Sequence, residues 1–211
     1  MFKGVDEKLE RAGYFLNNLK TSADEAGSIT RILSDKSQDM RANLDGFFFE
    51  IISAKDFFLQ GINDKYSTGL RKMEATDIGK LKQCLTDKNA RKALSKIEKL
   101  LATKNSWLWS LNNYRNSATH RQLVRYWNIA EGPTFVVKKG EQPQFQIDSA
   151  GVKRIDIPSE KYEWKDTKTY LFKDPEDRSQ GHLDMEVIPY CEQSLERMRK
   201  FLEKLYSELS I

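Results

Sequence analysis

Residues 106–121, SWLWSLNNYRNSATHR, combine side chains that can bind and cleave a phosphodiester. Arg115 supplies a permanent positive charge, Asn116 follows it directly, and His120 is one of only two histidines in 211 residues. Cleavage of RNA needs a base for the 2′-hydroxyl proton, an acid for the leaving 5′-oxygen and positive charge for the crowded phosphorane. A neutral-range imidazole and a guanidinium suit these tasks, and no metal is required.

The spacing of these residues restricts their geometry. In a continuous helix Arg115 and His120 lie about 140° apart around the axis, so they share no face. Either the backbone bends between them, or their side chains converge from opposite flanks of a cleft. Asn116 and His120 lie four residues apart on one face, so we expect Asn116 to orient the imidazole.

Other common catalytic patterns are missing from the sequence. There is no phosphate-binding GxxxxGK[ST] loop, no GxGxxG, no HExxH, no CxxC and no GxSxG. Two histidines and the two separated cysteines, Cys84 and Cys191, do not favour a metal site with nitrogen and sulfur ligands. We therefore expect neither a metal nor another cofactor.

Arg115, four intervening residues and His120, with a polar residue directly after the arginine, resemble the motif of the HEPN superfamily (higher eukaryotes and prokaryotes nucleotide-binding domain). The resemblance covers about residues 1–127 and the last helix. It implies an up-and-down helical bundle and metal-independent endoribonuclease activity, or RNA binding in members without catalysis. Toxin members that pair with a nucleotidyltransferase antitoxin tend to carry His-x-Tyr, whereas this chain has His120-Arg121-Gln122.

Each site has one histidine, but the reaction has two proton transfers. A twofold dimer that faces two motifs across one groove supplies a second imidazole and a second guanidinium, so both the mechanism and the resemblance predict a homodimer. Arg121 and Arg125, with Trp127 just after, fit phosphate contacts beside a stacking surface for unpaired bases. The alternative interpretation of the two arginines is an ordinary charged face, and that of Trp107 and Trp109 is packing.

Apolar residues at helical spacing predict the bundle. We expect helices over residues 3–20 and 28–42, a long buried helix over residues 43–63, a helix from Thr76 or Asp77 to about Leu85, a helix after Asp87, a helix from Asn105 or Ser106 through the motif, and a last helix from about Asp184. On the long helix Asp56 and Asn63 border the apolar stripe and are candidates to buttress Arg115, with Glu50 a weaker one. A position at the solvent edge is the alternative.

Between the motif and the last helix the residue pattern changes from helical spacing to short alternating runs. Residues 128–182 alternate short runs rich in Val, Ile and Phe with Gly-containing turns, which predicts a small antiparallel β insertion. His182 follows Gly181 in a polar loop, where we expect it to be exposed and inert. The fold class predicted is thus mainly α, a single domain over residues 1–211 with a β-rich insertion before the C-terminal helix.

Composition restricts the setting. A formal net charge of +4, from 35 Lys and Arg against 31 Asp and Glu, confines any phosphate-binding surface to a local area. No signal peptide or membrane span is expected, and the cysteine usage fits the cytoplasm. The leading hypothesis is an endoribonuclease for single-stranded RNA in a toxin or defence setting, with an antitoxin or regulatory protein as a further partner. A non-catalytic RNA- or nucleotide-binding module and a purely structural partner-binding bundle are the alternatives.

Overall fold

The computed structural model describes residues 1–25, 36–120 and 182–209, and the strand segments 126–130, 134–135, 145–148, 151–154, 164–165 and 168–173. For residues 23–25, 36–38, 117–120 and 126–185 of these ranges, only the backbone is described. The helices in this part of the chain are α1 (Val5–Glu25), α2 (Lys36–Lys65), α3 (Lys72–Ala75), α4 (Ile78–Cys84), α5 (Lys88–Ala102), α6 (Trp107–His120) and α7 (Val187–Glu208).

Helices α1, α2, α6 and α7 pack as an up-and-down bundle. α1 is antiparallel to α2, because Phe2 packs on Phe58 while Phe15 lies against Gly46. α6 is antiparallel to α7: Trp107 packs against Phe201 at one end, and Tyr114 against Tyr190 at the other. The end of α7 lies beside the end of α2, where Lys65 Nζ donates to the Leu209 carbonyl at 3.0 Å. The prediction of a helical bundle is confirmed.

α2 is the central helix of this bundle. Every residue from Glu50 to Lys55 is buried, and the predicted apolar stripe is buried along its whole length. α2 begins at Lys36, so the prediction of a separate helix ending at residue 42 is wrong for residues 36–42. The reason is that Met40, itself buried, extends the stripe one turn before Leu44 without a break. Residues 28–35 of that predicted helix lie outside the described residues.

Polar caps mark the shorter helices as predicted. The Asp77 carboxylate accepts from the Lys80 amide at 3.1 Å and starts α4. The Asp87 carboxylate accepts from the Ala90 amide at 2.7 Å and starts α5, whose inner face buries Ala90, Ala93, Leu94 and Ile97. Such caps satisfy amides that have no partner within the helix. α7 begins at Val187, three residues later than predicted, with Glu186 in an extended conformation before it.

Seven short strands are described between α6 and α7: β1 (Tyr126–Ala130), β2 (Thr134–Phe135), β3 (Phe145–Asp148), β4 (Gly151–Arg154), β5 (Trp164–Lys165), β6 (Lys168–Lys173) and β7 (His182–Glu186). All pairings are antiparallel: β6 lies between β1 and β7, β2 pairs with β5, and β3 pairs with β4. That residues 128–182 form one insertion stays a prediction, because the connecting segments and the side chains lie outside the described residues.

Two further properties bear on the sequence predictions. Among the described residues, no helix combines the length and apolar character needed to cross a bilayer. The two cysteines are reduced and differ in access: Cys84 is exposed at the end of α4, whereas Cys191 is fully buried on α7.

Two glycines of α2 let α1 approach closely. A Cβ at Gly46 would lie 2.7 Å from Cδ1 of Phe15, and one at Gly61 would lie 2.7 Å from Cβ of Phe2, both far inside van der Waals contact. Phe2 in turn packs edge-on against Phe58 and Tyr206, with ring centroids 5.4 and 5.0 Å apart. The aromatic rings of α1 and its leading residues thus occupy the space that side chains on α2 would otherwise fill.

We expect Gly61→Ala to destabilise the protein although alanine is the better helix former. Helix propensity favours alanine by about 1 kcal/mol, but displacing the Phe2 backbone and ring costs about 1–3 kcal/mol. In a Phe2→Gly background the ring and the Cβ of residue 2 are both gone and the overlap is relieved, so the same substitution should become stabilising. Urea unfolding of the wild type, both single variants and the double variant measures this change of sign. A Gly61→Ala effect independent of residue 2 would contradict it.

Candidate active site on helix α6

α6 begins at a fixed point. The Ser106 hydroxyl accepts from the Trp109 amide at 3.1 Å and donates to the Leu100 carbonyl, so one side chain joins the start of α6 to the end of α5. Of the two predicted caps, Ser106 is therefore the one that caps. The preceding Asn105 has a φ of 64°, a left-handed conformation that asparagine tolerates better than most residues.

The inner face of α6 is apolar and ends in an aromatic contact. Leu108 and Leu111 are fully buried, as the sequence predicts, and Trp107 is partly buried against Phe201. One turn after Leu111, the Tyr114 ring stacks on Phe48 of α2, with centroids 5.0 Å apart and an interplanar angle of 20°. The Tyr114 and Tyr190 rings are arranged edge to face, with their centroids 6.0 Å apart. The stack fixes the helix one residue before Arg115.

A polar seam joins α6 to α7 beside this stack. The Tyr190 hydroxyl is buried, and the Ser194 and Ser110 side chains act on its pKa as hydrogen-bonding neighbours. Burial raises the pKa of Tyr190 well above the ordinary tyrosine value, against the smaller lowering effects of these hydrogen bonds and of Arg197. Burial, with a smaller contribution from Glu192, also raises the pKa of the adjacent Cys191 thiol. The seam therefore stays neutral near physiological pH.

The motif lies on one continuous helix. α6 runs without interruption from Trp107 to His120, so the possibility of a backbone break between Arg115 and His120 is wrong. Positions 115 and 120 are therefore about 140° apart around the axis and about 7.5 Å apart along it. Positions 116 and 120 share a face. A single α6 can thus present the arginine and the histidine only to opposite flanks of a groove.

Arg115 contacts Asn116 directly. The guanidinium Nη1 donates to the Asn116 Oδ1 at 3.3 Å, and both residues are half-buried. The accepted bond turns the amide oxygen of Asn116 toward Arg115 and leaves its amino group as a donor. Since position 116 shares a face with position 120, Asn116 connects the guanidinium to the face that carries the histidine. The His120 side chain itself lies outside the described residues.

The two predicted buttress residues on α2 lie elsewhere. Asn63 donates from Nδ2 to the Leu70 carbonyl at 3.3 Å and accepts a short hydrogen bond from the Thr68 hydroxyl, so it closes the turn after α2. It is fifteen residues from Phe48, which places it about 22 Å along the helix from the level of Tyr114. Asp56 pairs with Lys55 at 2.7 Å. The structure does not bring Asn63 to Arg115, and neither residue has a contact with the motif among the described atoms.

The remaining candidates divide into placed and unplaced residues. Glu50 is buried and pairs with Lys8 of α1 at 2.8 Å, which explains why a carboxylate occurs on the inner part of α2. Trp127 is in β1, opposite Leu171 of β6. His182 is the first residue of β7. Arg121 and Arg125 lie outside the described residues, as do the side chains of Trp127 and His182, so their roles stay predictions.

Two features of the site escape the sequence analysis. Tyr114 is a core residue, although its position one turn after Leu111 already indicates the inner face. The Tyr190 seam has no signal in the local sequence, since Ser110 of α6 approaches Tyr190 of α7 only when the two helices pack. No group of three or more potential metal-ligating His, Cys, Asp or Glu side chains occurs in the part of the chain with described side chains.

Comparisons with known proteins do not assign the chain to a family. No protein-family model matches it, and neither a curated protein nor a solved structure matches it significantly. The HEPN resemblance therefore rests on the residues and geometry described above.

The buried Tyr190 makes the protein less stable in alkali. Its raised folded-state pKa means that its contribution to stability is complete below about pH 10 and is lost as the pH rises further, because the phenol ionises in the unfolded chain first. Tyr190→Phe should cost at most about 1 kcal/mol at pH 8, through the lost polar contacts of the hydroxyl. Above pH 10 this deficit should shrink by up to about 1.4 kcal/mol per pH unit.

Urea unfolding of both proteins at pH 8, 10 and 11 measures the effect. Tyr14→Phe, at a tyrosine that is 64% exposed, is the control for loss of a phenol. A deficit of Tyr190→Phe that stays constant across this range would contradict the assignment of Tyr190 as a buried neutral group.

Proposed function

We propose that this protein is a HEPN-type, metal-independent endoribonuclease that cleaves single-stranded RNA. The observation that carries the proposal is the Tyr114 stack followed at once by the Arg115–Asn116 contact on an unbroken helix. This arrangement holds a guanidinium and a directed amide at the margin of a rigid core. His120 extends the same helix by one turn beyond Asn116.

In the proposed reaction the 2′-oxygen of the RNA attacks the adjacent phosphorus while neutral His120 accepts its proton. The bond from phosphorus to the 5′-oxygen breaks, and that oxygen takes a proton from an imidazolium. The products are a 2′,3′-cyclic phosphate and a free 5′-hydroxyl. Arg115 stabilises the added negative charge on the phosphorane oxygens. Asn116, which accepts from Arg115, donates to the imidazole or to a phosphate oxygen.

The second imidazole comes from a second copy of the chain. Because α6 presents positions 115 and 120 to different directions, one helix alone does not place both groups on one phosphate. Two α6 helices related by a twofold axis place the Arg115 of each copy opposite the His120 of the other. The homodimer is thus part of the proposed mechanism and not an addition to it.

The other parts of the chain take supporting roles in this proposal. Arg121, Arg125 and Trp127 follow the motif and contact the RNA backbone and an unpaired base. Residues 128–182 are the β-rich insertion of a single domain spanning residues 1–211 in this proposal. The biological setting proposed is a cytoplasmic toxin or defence effector that an antitoxin or regulatory protein restrains.

Arg115→Ala and His120→Ala should each lower RNA cleavage at least about a hundredfold, since positioned proton transfer and charge stabilisation contribute this much or more. The assay is cleavage of a mixed-sequence RNA by pure protein in the presence of a chelator, with the cyclic phosphate identified by mass spectrometry. Arg11→Ala, at an exposed arginine of α1, and His182→Ala are the matched controls. Circular dichroism and size-exclusion chromatography verify fold and dimer.

Three results distinguish the hypotheses. Wild-type protein that binds RNA in a salt-dependent manner but never cleaves it is the non-catalytic RNA- or nucleotide-binding module. Cleavage that survives either Arg115→Ala or His120→Ala in a folded protein rules out the proposed site. Protein that neither binds nor cleaves RNA is the structural partner-binding bundle.

Mixing experiments test the shared groove. If each cleavage needs His120 from both copies, wild type exchanged with an equal amount of His120→Ala should retain about half of the activity of the wild type alone, because half of the wild-type chains enter inactive mixed dimers. Activity measured before and after subunit exchange reports this loss. Undiminished activity would show that each chain works independently.

A further inference from the structure

The positive charge of the chain is concentrated in one short region. Residues 78–104, which comprise α4 and α5 with their connections, contain eight Lys and Arg but only two acidic residues, Asp87 and Glu98, for a net charge of +6. The whole chain carries +4, so the remainder carries −2. Residues 78–104 are therefore strongly basic although the net charge of the whole chain is small.

The charged residues of α5 follow one side of the helix. Lys88, Arg91, Lys92, Ser95 and Lys99 are all exposed and recur at three- and four-residue intervals over about 16 Å. The opposite side, with Ala90, Ala93, Leu94 and Ile97, is buried in the core. α5 is thus fixed in the fold by its apolar side, and its basic side faces solvent.

The neighbouring carboxylates Glu98, Asp87 and Glu208 each have a partner within the fold. Glu98 pairs with Lys82 at 2.7 Å, and Asp87 caps α5. Glu208 at the end of α7 accepts from Lys96 at 2.7 Å. That hydrogen bond first, and then the charges of Lys96, Lys204 and Lys92, lower the pKa of Glu208. Within the described residues no ion pair joins Lys88, Arg91 or Lys99 to a carboxylate.

We propose that Lys88, Arg91, Lys92 and Lys99 of α5, with Lys204 of α7, form a docking surface for the phosphate backbone of single-stranded RNA. We call these five residues the basic surface. Lysine and arginine at regular intervals match a repeating phosphate chain. The choice of RNA rests on the proposed function.

Two other anionic partners fit this surface less well. A membrane-bound amphipathic helix inserts an apolar face into the lipid, but the apolar face of α5 is already buried in the protein. Protein interfaces concentrate aromatic residues and are depleted of lysine, whereas the exposed row on α5 has four lysines or arginines and no apolar residue. A polymer of exposed phosphates is the partner whose chemistry the row matches.

The basic surface is separate from the motif. Glu208, whose carboxylate interacts with Lys92 and Lys204 of this surface, is eighteen residues along α7 from Tyr190, and Tyr190 contacts Tyr114 beside Arg115. The two regions are therefore about 27 Å apart along the bundle axis. An RNA that occupies both must extend well beyond the nucleotides at the scissile bond. The basic surface thus favours long single-stranded substrates over dinucleotides.

Fluorescence anisotropy with a labelled 30-nucleotide RNA tests the proposal, with His120→Ala as the non-cleaving background and a chelator present. Adding Arg91→Gln/Lys99→Gln should raise Kd roughly 10- to 30-fold at 0.1 M salt and should reduce the slope of log K against log salt by about 1.4, as expected for two lost phosphate contacts. As the α1 control, adding Lys3→Gln/Arg11→Gln removes the same number of charges at exposed positions just before and on α1, and should change Kd less than about threefold.

Each other outcome overturns the proposal. These outcomes are unchanged RNA affinity in Arg91→Gln/Lys99→Gln, an equal loss in the α1 control, no binding of RNA at 50 mM salt, and equal displacement of RNA by polyglutamate or by vesicles rich in phosphatidylserine. The last result would identify an acidic protein or a membrane as the partner.

Cleavage assays separate this inference from the proposed function. With His120 intact, Arg91→Gln/Lys99→Gln should raise KM for the 30-nucleotide RNA and leave kcat unchanged, and it should not affect cleavage of a dinucleotide. Loss of kcat would place these residues in the reaction and contradict a docking role. If the wild type does not cleave RNA at all, the proposed nuclease fails, while the anisotropy result still decides whether the basic surface binds RNA.

Discussion

The position of Tyr114 between Phe48 and Tyr190 is the contact on which the candidate site depends. The stacked pair and the edge-on pair each contribute about 0.5–1.5 kcal/mol beyond the burial of their area, and together they join three helices at one level of the bundle. Arg115 and Asn116 come next in the chain, so their backbone positions follow from this packing. The Ser106 cap fixes the start of α6. The cap and the Tyr114 stack together give Arg115 and Asn116 a defined direction, which is what chemistry on a phosphate requires.

The central helix α2 accommodates buried charged residues by pairing them. Its middle is buried on all sides, yet it contains Glu50 and Lys55, which pair with Lys8 and Asp56. The Lys8 ammonium also lies over the rings of Phe49 and Phe57, 5.7 and 5.4 Å from their centroids. Desolvation offsets much of the attraction in such pairs. Together with Phe2 over Gly61 and Phe15 over Gly46, the Lys8–Glu50 pair allows one register of α1 on α2.

Apolar spacing predicted the long helices because burial of one face decides whether they form. It predicted the stripe of α2, the caps at Asp77 and Asp87, and the inner face of α6. It did not predict that α2 begins at Lys36. The predicted boundary at residue 42 is wrong because no helix-terminating residue separates residues 36–42 from the stripe. It placed Asn63 on the correct helix but not beside its actual partners. Thr68 and Leu70 contact Asn63 because the chain turns back after α2. Spacing identifies the face of a residue, whereas its partners depend on the packing of other elements.

The unequal access of the two cysteines makes the molecule easy to modify at one place. The buried Cys191 thiol is shielded from solvent and its pKa is raised, so it reacts slowly as a nucleophile. Cys84 at the end of α4 is exposed and lies in the region that carries the basic surface. A maleimide fluorophore or spin label will therefore attach there without any cysteine having to be removed first. The native chain thus provides its own reporter position next to α5.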